Sequence, residues 1–398
     1  MKKLIAVLTV LAFVAGGAFA QVSVSGDVTT GVTVISGNND DNDDTIRSQG
    51  HTDASVDFTF TAADGVFGVS LGFDASFGME LDLYASNVPT WENAFLVRMG
   101  FAYAWWQPHR MFWMLLGGDD FFGQPGGATW DFYRAAGNVG VVDAHAAWHN
   151  AIIGGAGLID GGQISYENAF FDGFSEWGVM MRVAPIPELT LNFGLPFISM
   201  GSLARGTTAE TGDVFQSSII QAVVNQPWGN VALTYWLSPN DYDLGRFWGL
   251  FSLRAIDSLS LNLGIGLDLF GENHPSDTLM SIGLAAEYDI NEAFGVRART
   301  MVQFEMGDDD YFGMLFDVLP FFRVTPNITA FCSIGFGMAQ RTAGAVEVSQ
   351  FDWHFNPYVE IGTQGEWGPR FFAGFRLWST NDGDQINWSV PIGFMVGF

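Results

Sequence analysis

Lysine is missing from this chain beyond Lys2 and Lys3, which leaves 14 arginines against 43 Asp and Glu from residue 21 onward, two units more acidic than the formal −27 of the whole. Binding to nucleic-acid phosphates requires net positive surface, so that class of partner is excluded. Cysteine is nearly missing as well. Cys332 stands alone, which rules out a disulfide scaffold, and no cysteine follows the N-terminal segment to carry a lipid. Beyond that segment no run of about 18 uninterrupted apolar residues occurs, which excludes an ordinary helical membrane protein. Charge of either sign is scarce, 15% of residues, in a chain with 49 Gly and 37 Phe. A soluble acidic protein covers its surface with charge, and an apolar exterior would explain the shortfall.

What is present begins with an export signature. Lys2 and Lys3 precede a largely apolar run from Leu4 to Val14, and Ala18-Phe19-Ala20 leads to Gln21. Residues 1–20 are therefore expected to be a cleaved signal helix, with residues 21–398 as the mature domain.

From Val22 the apolar residues recur with a period of two, the strand signal. Val22, Val24, Val28, Val32 and Val34 alternate with Ser23, Ser25, Asp27, Thr29 and Thr33. The pattern returns at Ala54 to Phe60 and Phe67 to Phe73, joined by Asp64-Gly65, a favoured hairpin pair. It is fullest where Leu259, Leu261, Leu263, Ile265, Leu267 and Leu269 oppose Ser260, Asn262, Gly264, Gly266 and Asp268. Further short turns fall near Gln107, Pro185, Gln226, Ala255, Asp289, Val324 and Gln364, while the other connections are longer and acidic. Two strands for each short turn, with one at either end of the chain, predict about 18 antiparallel strands, within a range of about 16 to 20. The alternation fades between Gly118 and Phe174, which reads either as a long loop folded inward or as an extra hairpin around Val139 to Ile159 that would bring the count to about 20.

Strands can span hydrocarbon only in a closed sheet, because every unpaired backbone group there costs several kcal/mol. The expected fold is thus all-β: a closed antiparallel transmembrane barrel with its apolar parity toward lipid and its Ser, Asn, Gly, Asp and Arg parity toward a wet interior. Aromatics at strand ends, as in Trp105-Trp106 and Tyr235-Trp236, suit interfacial girdles. The last segment, Trp388, Val390, Ile392, Phe394, Val396 and Phe398, alternates cleanly and ends on phenylalanine. In this the chain resembles the porins of bacterial outer membranes. The resemblance implies export to that membrane, recognition of Phe394, Val396 and Phe398 by the barrel assembly machinery, an inward-folded loop and, commonly, a homotrimer.

Charged residues of the polar parity are the candidate pore lining: Arg98, Arg182, Arg254, Arg297, Arg299 and Arg376 with Asp57, Asp74, Glu176, Asp268, Glu287 and Asp317. They would either set a transverse field that selects solutes or pair to brace the wall. The loop clusters Asp40, Asp41, Asp43, Asp44 and Asp308, Asp309, Asp310 offer oxygen ligands to calcium without an EF-hand pattern. Gly68-Val69-Ser70-Leu71-Gly72 matches a nucleophile-elbow pattern but lies inside an alternating strand, and His145, His149 and Asp143 are not on an expected helix. No catalytic residue, cofactor or metal centre is assigned. The expected function is passive diffusion of small hydrophilic solutes. Carriage of apolar molecules and a closed-lumen surface protein or adhesin are the alternatives.

Overall fold

A computed structural model of the chain describes residues 19–38, 47–82, 91–121, 166, 169–171, 174–198, 218–237, 245–269, 278–306, 310–343, 346–362, 368–380 and 384–397. Residues 1–18 of the expected signal, the Asp40–Asp44 cluster, Asp308 and Asp309, the Asp143/His145/His149 group, the expected hairpin near 139–159 and Phe398 lie outside the described residues.

The described chain is strand after strand. They are β1 Phe19–Asn38, β2 Arg47–Ala62, β3 Phe67–Asp82, β4 Trp91–His109, β5 Phe112–Phe121, β6 Phe174–Ile186, β7 Leu189–Ile198, β8 Ile219–Gln226, β9 Gly229–Trp236 and β10 Gly245–Ile256. The rest are β11 Leu259–Leu269, β12 Leu279–Asp289, β13 Phe294–Glu305, β14 Asp310–Thr325, β15 Ile328–Ala343, β16 Val346–Gly362, β17 Arg370–Gly374, β18 Arg376–Thr380 and β19 Gln385–Gly397. Pairing runs antiparallel between successive staves, and β19 returns to β1, with Val28 opposite Val396 and Thr30 opposite Phe394. The sheet therefore has no edge. β17 and β18 are two halves of one stave, so 19 strands build the 18 staves that the sequence pattern predicts.

The split at Phe375 has a local cause. Proline has no amide hydrogen to give a ladder. Pro357 of β16 accepts from the Phe375 amide at 2.9 Å and cannot return a bond, and the register puts Pro391 of β19 opposite Gly374. Both neighbours of the stave thus withhold a donor at one height. The same line carries a gap in the β14–β15 pairing at Pro320 and a bulge in β1 between Thr33 and Ile35. At the β2–β3 hairpin, by contrast, Gly65 takes φ +70 and its amide donates to the Ala62 carbonyl at 2.9 Å, the tight turn that its missing Cβ permits.

Alternation sorts the side chains into two faces. On β14, Phe312 and Phe322 are exposed while Tyr311, Leu315, Asp317, Leu319 and Phe321 are buried. In a closed sheet the crowded, buried parity is the concave one, and the exposed Val, Leu and Phe parity is the outside. The inner parity is less uniformly polar than its sequence predicts. Tyr166, Ala169 and Phe170 pack with Leu279, Ala285, Met301, Tyr311, Leu315 and Ala339, and Phe171 packs with Leu115, Met180, Ile219 and Trp248. These wall positions are apolar because described residues between β5 and β6 lie against them. Gly264 and Gly283 leave the room, since a Cβ at either would run into Ala169 or the Phe170 ring.

Candidate functional site: the inner wall

A deeply buried pair of opposite charges lies on β13 and β14. Arg299 and Asp317 are directly opposed in register, and the Arg299 Nε stands 2.7 Å from Asp317 Oδ2, with both side chains 1% exposed. One bare position makes the surroundings possible. Gly335 of β15 lies between Asp317 and His354 of β16, where a side chain would collide with both, so His354 Nε2 comes to 3.4 Å from Asp317 Oδ1. Ser333 Oγ meets the same ring nitrogen at 2.8 Å. A relay triad needs the carboxylate on one imidazole nitrogen and the hydroxyl on the other, so this arrangement is a packed polar cluster and no nucleophilic site. Tyr166 caps it, with the Arg299 guanidinium 4.1 Å from its ring centre.

A second feature crosses four strands in one register row. Arg182 Nε donates to Asn192 Oδ1 at 3.0 Å, Asn192 Nδ2 donates to Gln221 Oε1 at 2.8 Å, and Gln221 Nε2 donates to Thr234 Oγ1 at 3.1 Å. Asn192, Gln221 and Thr234 are buried, and their buried polar atoms are satisfied by one another. Arg182 stays exposed, its guanidinium 5.4 Å from the Trp113 ring centre. The row continues on β12 and β13, where Gln303 Nε2 donates to Ser281 Oγ at 3.1 Å.

The remaining sequence candidates divide into paired and separate groups. Arg297 pairs with Glu287 at 3.2 Å, and Asp268 pairs with Arg246 at 2.8 Å. Arg376 lies over the Trp378 ring at 4.9 Å, and Arg254 is exposed at the end of β10. Arg98 is opposite Asp74 in register and Glu176 is opposite Asp119, with the side chains of Arg98 and Glu176 outside the described residues. Asp57 and Asp74 share the inner parity of β2 and β3 with Asp27 of β1. Sequence reasoning missed Arg246, the Arg323–Asp289 pair at 2.9 Å, the Arg370–Glu360 pair at 3.3 Å and His354. The signal was there for Arg246, which shares its sequence parity with Arg254, eight residues and four repeats of the pleat away. Phe394 and Val396 lie on the outer parity of β19, paired with Thr30 and Val28.

No family model matches the chain, and no curated protein sequence matches it. Its architecture is nonetheless similar to outer-membrane porins of Pseudomonas aeruginosa. The TM-score to OccK11 (OpdR) is 0.56 at 10% identity, over 96% of this chain and 97% of that one. For OccK7 (OpdD) it is 0.55 at 9% identity, over 96% and 99%. For OpdK, solved with vanillate, it is 0.54 at 11% identity, over 96% and 100%. The likeness is one of fold, a closed antiparallel β-barrel. At such identities the likeness concerns the path of the chain, and no inner-wall residue is carried across by it. The charged rows described above belong to this barrel's own sequence.

Proposed function

We propose that the barrel sits in an outer membrane and passes small hydrophilic solutes by passive diffusion. The observation that carries this reading is the sorting of the faces around a sheet without an edge. Valine, leucine and phenylalanine stay exposed on the outer parity, where water would be a poor solvent for them, and the ion pairs lie on the inner one. Hydrocarbon outside, with paired or solvated charge inside, satisfies both faces. The exposed Arg182 on β6 and the carboxylates of β2 and β3 are candidate selectivity groups, because charges of both signs across a narrow lumen sort solutes by sign and size. In this reading the outer-parity Phe394 and Val396 of the last strand serve assembly, and Tyr166, Ala169, Phe170 and Phe171, packed on the inner wall, narrow the lumen.

Purified, folded protein added to a planar lipid bilayer is expected to give stepwise conductance that rises with salt concentration. Folded protein, verified by heat-modifiable migration, that inserts without any conductance step contradicts the reading.

A further inference from the structure

Along β4 the inner parity carries three aromatics in succession, Phe101, Tyr103 and Trp105. The neighbouring strand β3 places glycine opposite two of them, Gly72 across from Phe101 and Gly68 across from Trp105. A Cβ at Gly72 would run into the Phe101 ring and one at Gly68 into the Trp105 indole, so both rings lean over bare backbone. Phe101 and Tyr103 have ring centres 5.7 Å apart, and all three side chains remain half-buried. The result is a track of ring surface running along one stave of the wall.

Carboxylates border that track. Asp57 of β2 stands directly across Gly72 from Phe101. Asp74 reaches over Gly100 of β4, where a Cβ would collide with its carboxylate, and Gly100 is the extra residue of a bulge in this pairing. Asp27 of β1 joins the Asp74 row through Ser55, whose hydroxyl donates to it. The ion pairs described on β10 to β17 do not extend to Asp27 or Asp57.

The two features ask for one kind of ligand. A ring face carries the negative side of the aromatic quadrupole, and a carboxylate is negative outright, so an anion is repelled by both. A neutral polyol gains nothing from the net charge, and a hydrated inorganic cation gains little from the rings. An alkylammonium group, positive and coated in C–H bonds, uses both. We propose that Phe101, Tyr103 and Trp105, with Asp27 and Asp57, form an inner-wall subsite for organic cations of the alkylammonium class, while Asp74 faces Arg98 across the register. The channel reading supplies only the route by which the cation arrives.

The test uses tetraethylammonium as the probe in a planar bilayer carrying KCl current, with glucose and benzoate as neutral and anionic controls. Brief interruptions of the current are expected with tetraethylammonium alone. The F101A/W105A double variant should weaken them about tenfold, and D57N should weaken them several-fold in a salt-dependent way, about as expected for one exposed charge. Equal interruption of the wild type and both variants overturns the proposal, as does equal interruption by glucose or benzoate. If the folded protein passes no KCl current, the channel reading fails, but the subsite is still read in detergent. There the proton NMR lines of tetraethylammonium should broaden with wild-type protein, less with D57N and least with the double variant. Unbroadened lines with the wild type overturn the proposal.

Discussion

Replacing Asp317 with alanine is expected to lower the unfolding free energy of the lipid-inserted barrel by about 3–5 kcal/mol, read from urea titration in phospholipid vesicles. The reason is burial. Arg299 and Asp317 are each 1% exposed and held at 2.7 Å, so removing the carboxylate leaves a guanidinium without its countercharge in a place water does not reach. The Tyr166 ring at 4.1 Å does not make up the loss, because a cation–π contact supplies about 0.5–2 kcal/mol. The R299M/D317L double variant, which removes both charges and keeps the volume, is expected to recover most of the loss and to match the wild type to within about 1 kcal/mol. An alanine variant as stable as the wild type would mean that the pair is solvated, and the packing of Tyr166 and Ser333 around it would then be misread.

Leu263→Arg is expected to cost about 2–4 kcal/mol in a bilayer. Leu263 lies in the middle of β11 on the outer parity, opposite Phe251 of β10 and Leu284 of β12. All three are between 38% and 40% exposed, so they stand open on the outer face among the described residues. For an exposed leucine on a water-soluble sheet the same exchange would change stability by roughly 0.5 kcal/mol or less. The size of the effect therefore reports the solvent of the outer face. Measured in vesicles by urea titration, a value near zero would place that face in water.

Much of this fold was legible because a period of two is written residue by residue. The alternation from Leu259 to Leu269 marks β11 with its observed bounds, and Asp64-Gly65 marks the β2–β3 hairpin where Gly65 takes the left-handed turn. The stave count followed from turns that recur in step. What each inner charge touches was not legible, since it depends on register between strands. Arg299 meets Asp317 because the β13–β14 pairing sets them opposite each other, and His354 reaches Asp317 only across a bare Gly335. The apolar patches inside were hidden for a related reason. Leu279, Met301 and Leu315 sit among polar neighbours of the same parity, and only the presence of Phe170 and Tyr166 against them explains their burial. The β17–β18 split likewise needs Pro357 and Pro391 brought alongside Phe375, from positions 18 and 16 residues away in sequence.

Everything rests on one stave of sheet meeting the other across the chain's two ends. Cysteines placed at Thr29 and Met395, which face each other between β1 and β19, test that contact in a Cys332→Ala background. Mild oxidation of the folded protein is expected to join them within one molecule, in vesicles and without denaturant, and the bond should hold the heat-treated protein in a more compact band on a gel. Thiols that stay free in folded protein, or that join only between molecules, would contradict a closed barrel.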